Sequence, residues 1–315
     1  AMAGFLQLLS MPRAKEKLAA LDKPERIAKV IARAGLCSRR EAERWIEAGR
    51  VKLDGKVLES PAVTVTAASK IIVDGEPLPL KDEQKVWRYH KPAGLLTTHS
   101  DPEGRPNLFD SLPEDMPRVI SVGRLDLSSE GLLLLTNDGE LARQLELPAS
   151  GWLRRYRVRV HGRVDEKILD ELINGVTIDG VHYKSIQATL DRQQGANAWL
   201  TVSLVEGKNR EIRRVMEHFG WSVSRLIRTA YGPFQLGKLA KGDVEKVRSK
   251  VLKDQLSGRD RSGFAAKTEK LARRPADKRT KRLQAGKLKK NYRKRTKIDP
   301  INKPRKENAH RRRSK

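Results

Sequence analysis

Near the start of the chain, apolar residues follow first a helical period and then an alternating one. Ile27, Val30, Ile31 and Ala34 recur on one helix face and predict a helix that Gly35 stops. A second helix opens at Ser38-Arg39-Arg40-Glu41, a capping-box pattern in which the serine oxygen accepts from an early amide and the glutamate reaches back. Its apolar side is Ala42, Trp45 and Ile46, and Gly49 ends it. Val51-Lys52-Leu53 then alternates into Asp54-Gly55, residue types that accept the positive φ angles of a two-residue hairpin turn. Two short helices and a hairpin make a small α/β module over residues 24–82.

Residues 83–249 read as a larger domain. Val86 to His90 predicts a strand that ends at Lys91-Pro92-Ala93-Gly94, because proline cannot donate to a continuing ladder. Leu132 to Leu135 is an unbroken apolar run of the length of a buried strand. Alternation predicts strands at Tyr156 to Val160, Gln187 to Leu190 and Trp199 to Val205. Helical spacing predicts helices at Gly139 to Leu145, Glu166 to Asn174 and Arg210 to Phe219. Between these, Asp101-Pro102-Glu103-Gly104-Arg105-Pro106 is a loop dense in turn residues. Strands with interspersed helices assign the chain to the α+β class, around a mostly antiparallel sheet.

Beyond Lys250 the periodicity vanishes. Residues 250–315 hold 26 Lys or Arg against 6 Asp or Glu, so +20 of the chain's +27 lies there and the rest is only mildly basic. Such a block is expected to be disordered in isolation and to act as an electrostatic anchor for nucleic acid. Residues 1–23 are expected to form a disordered leader; no basic residue precedes Phe5-Leu6-Gln7-Leu8-Leu9, which makes a poor secretory signal. No apolar run approaches the ~18 residues of a spanning helix. Cys37 is the only cysteine, which excludes an intrachain disulfide and suits a small core residue. The six histidines show no metal-ligand spacing, and no metal is expected. A cytoplasmic enzyme acting on nucleic acid fits these features.

Candidate chemistry begins at Gly123-Arg124-Leu125-Asp126, where a carboxylate and a guanidinium share a glycine-bounded turn ahead of the leucine run. An acid so placed can stay ionised and face a ligand. Arg154-Arg155-Tyr156-Arg157 sets an aromatic ring with a polar tip among cations, which suits a nucleobase. In Arg210-Glu211-Ile212-Arg213-Arg214-Val215-Met216, the apolar residues form one helix side and Arg210, Arg213 and Arg214 its margin. Neither a P-loop nor a dinucleotide fingerprint occurs.

The segment GRLDLSSEGLLLLTNDGELA resembles the catalytic motif of the pseudouridine synthases, specifically the RsuA-type branch that modifies ribosomal RNA. Helix, capped turn, helix and the GRVKLDGKV hairpin resemble the S4 RNA-binding module. The two resemblances together span residues 24–249. They imply a long bent mixed sheet with a catalytic cleft across its middle, and a cofactor-free isomerisation of uridine in RNA. They also imply Asp126 as the essential residue, Tyr156 as the ring that stacks on the uracil, and Arg213 as the cation paired with the aspartate; Arg124 is the competing cation on sequence proximity. Within an S4-like frame, Arg39, Arg40, Arg44, Arg50 and Lys52 become phosphate contacts, joined by Arg124, Arg155, Arg210 and Arg214 around the catalytic motifs. Arg105 is the candidate for holding the RNA from which a base has been flipped. DPEGRPNLFDSLP resembles the branch acting on large-subunit RNA, which implies 23S rRNA as substrate and a monomeric enzyme. The competing expectation is a non-catalytic rRNA-binding assembly factor on the same fold.

Overall fold

The computed structural model describes residues 23–147 and 151–256. The small module contains β1 (Glu25–Arg26), α1 (Ile27–Arg33), α2 (Arg39–Glu47), β2 (Val51–Leu53), β3 (Lys56–Val57), β4 (Thr64–Val65), β5 (Ile71–Val73) and β6 (Glu76–Pro77). Its sheet runs β3-β2-β5-β6, and β1 pairs with β4. Ser38 Oγ accepts the Glu41 amide at 3.1 Å, so the cap forms as expected. Glu41 does not close the box, because its carboxylate lies 3.9 Å from Arg44 instead. Asp54 and Gly55 take φ of +48° and +87° and join β2 to β3. Ile27, Ile31, Ala42, Ile46 and Val51 meet in one core with Cys37, whose thiol burial pushes up to about 11.

The larger domain contains β7 (Val86–Lys91), β8 (Ile120–Val122), β9 (Ser129–Thr136), α3 (Gly139–Glu146), β10 (Arg154–His161), α4 (Glu166–Glu171), β11 (Val176–Ile178), β12 (Val181–Tyr183), β13 (Ile186–Gln194) and β14 (Asn197–Leu204). It continues with α5 (Glu211–His218), β15 (Ser222–Tyr231), β16 (Phe234–Gln235), β17 (Val244–Lys246) and α6 (Ser249–Leu256). Nine strands form one mixed sheet in the order β13-β14-β10-β15-β9-β7-β17, with β16 on β15 and β8 on β9. Only β9 and β15 pair in parallel. The other pairs are antiparallel.

The leucine run is explained by this arrangement. Leu133 and Leu135 pack into a core with Tyr89, Val158 and α5, while Leu132 and Leu134 pack into a second core with α3, Trp152 and Tyr231. A strand covered on both faces needs apolar residues at every position rather than at alternate ones. Gly131 sits where β9 meets β15; its φ is +105°, and a Cβ there would lie 2.3 Å from the Arg228 carbonyl oxygen. No side chain fits that approach.

Two expectations need correction. Residues from 250 onward were expected to lack structure, but α6 runs to Leu256, and Leu252 packs against the second core beside Val247. One buried leucine within a charged run is too little periodicity to read. The remainder of the basic tail, like the leader, lies outside the described residues. Glu166 to Asn174 is also not one helix: α4 tightens into a 3-10 turn at Leu172–Asn174.

Candidate active site

Asp126 lies in the turn between β8 and β9, and the turn is tied down from beneath. Lys91, at the end of β7, is fully buried. Its ammonium donates to the carbonyls of Pro92 at 3.0 Å, Asp126 at 3.2 Å, Leu127 at 3.4 Å and Ser129 at 3.0 Å. Burial pulls its pKa down to about 8, against the opposing pull of Asp126 and Glu130. Thr97 Oγ1 donates to the Leu125 carbonyl at 2.9 Å, and the Gly94 amide to the Leu127 carbonyl at 2.8 Å. The segment after β7 therefore braces both sides of Asp126. The sequence reading treated Lys91 only as a strand terminus.

Arg213, on α5, is the cation next to Asp126: its Nε lies 4.0 Å from Oδ2. Its other nitrogens are held in place, Nη1 donating to Val223 at 3.1 Å and Nη2 to Ser128 at 3.3 Å. Nε is buried without a hydrogen-bond partner. Burial and the neighbouring Arg210 lower the pKa of Arg213, while Asp126 pulls the other way. The guanidinium is thus fixed by two carbonyls with one N–H left towards the carboxylate.

Asp126 and Tyr156 open into one cleft of about 530 Å³, floored by Leu204, Ile212 and Leu226. That volume is in the range of pockets for small ligands and admits a single nucleoside. Tyr156 projects from β10 and is buried, and its cross-strand partner on β15 is Arg228. Arg228 is 3% exposed and lines the same cleft. Arg154 shares the face of Tyr156, donates to the carbonyls of Val205 and Glu206, and lies over the Tyr231 ring.

The other expected residues divide. Arg124 and Arg210 line the cleft as exposed side chains, so Arg124 is a rim cation and Arg213 the partner of Asp126. Arg214 is exposed on α5, away from the cleft lining. Arg155 is a correction: β10 alternates, so Arg155 points to the opposite face and Arg154 occupies the place beside Tyr156. Arg105 stands outside the cleft lining, bound to Asp101 at 2.7 and 3.0 Å and to Glu103 at 3.0 Å. In the small module Arg39, Arg40, Arg44 and Lys52 are exposed. Arg50 grips Asp74 through two nitrogens and lies 4.5 Å over the Trp45 ring, so part of its hydrogen-bonding capacity is taken by the fold.

Behind the turn, Glu130 closes the β9–β15 seam. It accepts from Arg225 at 2.7 and 3.0 Å and pairs with Lys241 at 2.8 Å. The Arg225 guanidinium, outweighing burial, lowers its pKa from 4.5 to about 2. A carboxylate held low contributes stability fully above its unfolded pKa and loses it as pH falls through the folded one. Wild type should therefore lose about 2 kcal/mol between about pH 5 and pH 2, allowing for solvent screening of the two half-exposed cations. Glu130→Gln should lower stability at pH 7 by a similar amount and flatten that acid limb in urea unfolding. An unchanged limb would mean that the seam does not depend on this ion pair.

A carboxylate set beside a guanidinium, an aromatic ring in the same cleft and a basic rim suit chemistry on a nucleoside within RNA. Residues 85–218 match the RNA pseudouridylate synthase family and residues 25–72 the S4 domain. An uncharacterized RNA pseudouridine synthase of Rickettsia typhi is 47% identical over 74% of this chain and 96% of its own length. Ribosomal large subunit pseudouridine synthase B of Haemophilus influenzae is 43% identical over 91% of this chain and 83% of its own length. A solved pseudouridylate synthase, 24% identical over 73% of this chain and 99% of its own, shares the fold at a TM-score of 0.52. Among the described residues no helix is long and apolar enough to cross a membrane. With the S4 module ahead of a domain whose cleft is lined by the aspartate and tyrosine of the motifs, the motif arginine standing beside the aspartate, the chain belongs to the RsuA-type RNA pseudouridine synthases.

Proposed function

We propose that the protein isomerises a uridine of ribosomal RNA to pseudouridine, that the RNA is the 23S species of the large subunit, and that it acts as a cytoplasmic monomer without a cofactor. In this reaction the C1′–N1 bond breaks, the base turns, and a C1′–C5 bond forms. C5 loses its proton and N1 gains one, so nothing is oxidised or reduced. Asp126 is the catalytic carboxylate that meets the sugar, Arg213 fixes it, and Tyr156 stacks on the uracil. The observation that carries this reading is the buried Arg213, both Nη atoms bound to carbonyls and Nε 4.0 Å from Asp126, which lines a nucleoside-sized cleft.

Binding the RNA falls to exposed cations. Arg39, Arg40, Arg44, Arg50 and Lys52 meet phosphates from the small module, with Arg124, Arg210 and Arg214 around the larger domain. Arg105 fits a part in base flipping through its loop, whose base is bonded at Thr97 to the residue before Asp126. The ion pairs with Asp101 and Glu103 must open for it to reach RNA. The Haemophilus influenzae relative is named for the large ribosomal subunit, which supports the 23S assignment.

Ribosomal RNA from a strain lacking this gene provides the test. After incubation with the purified protein, pseudouridine mapping should show a new site in 23S rRNA. A site in 16S rRNA alone would overturn the subunit assignment, and no site in either would overturn the reading.

A further inference from the structure

We infer that Arg228 reads the carbonyl edge of the target base and is the residue that separates uridine from cytidine, an inference that rests on the uridine-isomerase reading above. Arg228 is Tyr156's cross-strand partner, on the strand of the parallel seam, and both side chains are buried in the wall of the one cleft. Cross-strand partners sit about 5 Å apart at Cβ, so a base lying on the Tyr156 ring presents its edge to the neighbouring guanidinium.

The guanidinium is under-used by the protein. Nε donates to the Leu132 carbonyl at 2.7 Å, while Nη2 is buried with no hydrogen-bond partner. Among the described residues no carboxylate pairs with Arg228, and its guanidinium lies 5.1 Å from the Tyr231 ring. A buried cation with spare N–H groups in a ligand cleft gains most from an acceptor that the ligand brings. The approach is also structurally enforced: Arg228 pairs with Gly131 across the seam, where a side chain would collide with its backbone.

The chemistry of the reaction fits a fixed donor. To bring C5 where N1 had been, the uracil turns about its N3–C6 axis, which also exchanges O2 with O4. A donor set at that edge therefore faces a carbonyl before and after the turn. In cytosine one of the two positions carries an amino group, so in one of the two orientations N–H would meet N–H.

The test uses the full chain and a 23S rRNA fragment carrying the uridine mapped with wild type. Arg228→Met should lower kcat/KM by about 10- to 100-fold, the loss of one charge-assisted hydrogen bond. It should also narrow by about 10-fold the preference, in competition, for the uridine fragment over one with cytidine at that position. The salt dependence of binding should not change; a slope falling by about 0.7 would mark a phosphate contact and overturn the inference. Unaltered kcat/KM and preference would overturn it too. Wild type with 2-thiouridine or 4-thiouridine at the target needs no variant: at least one thio base should slow turnover about 10-fold, and equal rates would overturn the inference. Pseudouridine formation by wild type on the unaltered fragment keeps these outcomes separate from failure of the isomerase reading.

Discussion

Asp126→Asn is expected to lower pseudouridine formation by on the order of 10⁴-fold or more while leaving RNA affinity and fold intact. The fold should survive because the Asp126 side chain is 31% exposed and its nearest ionic partner is 4.0 Å away, whereas its backbone carbonyl carries the bonds to Lys91 and Ser129. Asparagine keeps that backbone and nearly the same volume, so the melting temperature should stay within about 2 °C. What it loses is the negative charge opposite Arg213, which both routes open to the carboxylate require, whether it bonds to the sugar or removes a proton from it. Single-turnover conversion of the mapped 23S fragment, read beside a binding isotherm, separates chemistry from affinity. Conversion within 10-fold of wild type would remove Asp126 from the mechanism. Weaker binding with unchanged chemistry would make it a binding residue instead.

How much of this site was legible depended on how local each signal was. The Asp126 turn, the leucine strand and the Arg213 helix are contiguous motifs: the helix begins and ends within one residue of expectation, and the strand holds the expected leucines but starts three residues earlier, at Ser129. The long strand β15 was not read, because its pattern breaks the rule that cations face water: Arg228 is buried, and Arg225 spends its charge on Glu130. The choice between Arg154 and Arg155 was available in principle. A strand residue shares its face with the residue two away, so Tyr156 goes with Arg154. Arg50 and Arg105 were unreadable for another reason. Arg50's carboxylate partner is 24 positions away, and the Arg105 contacts depend on how a turn closes. Composition shows a cation but not the anion already holding it.

Lys91→Met should be the most damaging substitution outside the cleft, costing about 2–4 kcal/mol of stability and on the order of 10² in kcat. One buried ammonium satisfies four carbonyls, three of them in the turn that carries Asp126. Methionine fills the space but removes the shared donor, leaving the Asp126 and Leu127 carbonyls only the Ser129 and Gly94 amides, and each charge-assisted bond lost is worth about 1.5–3 kcal/mol before the relief of burying a charge is counted. The effect on kcat follows from position, since a shift of about 1 Å in a reacting group can cost 10²-fold. Its pH dependence separates the two effects. The folded pKa of Lys91, about 8, lies below its ordinary 10.5, so between those values the unfolded chain binds the extra proton. By linkage, stability gains from Lys91 as pH rises through that window, because the burial penalty on its charge is relieved. Activity should move the other way, since a neutral amine has two N–H groups for four carbonyls and holds the turn loosely. Wild-type kcat should thus fall above about pH 8 with no matching drop in melting temperature, and Lys91→Met should be uniformly slow and lack that limb. An identical alkaline limb in both proteins would show that another group titrates there and that the turn does not depend on the charge of Lys91.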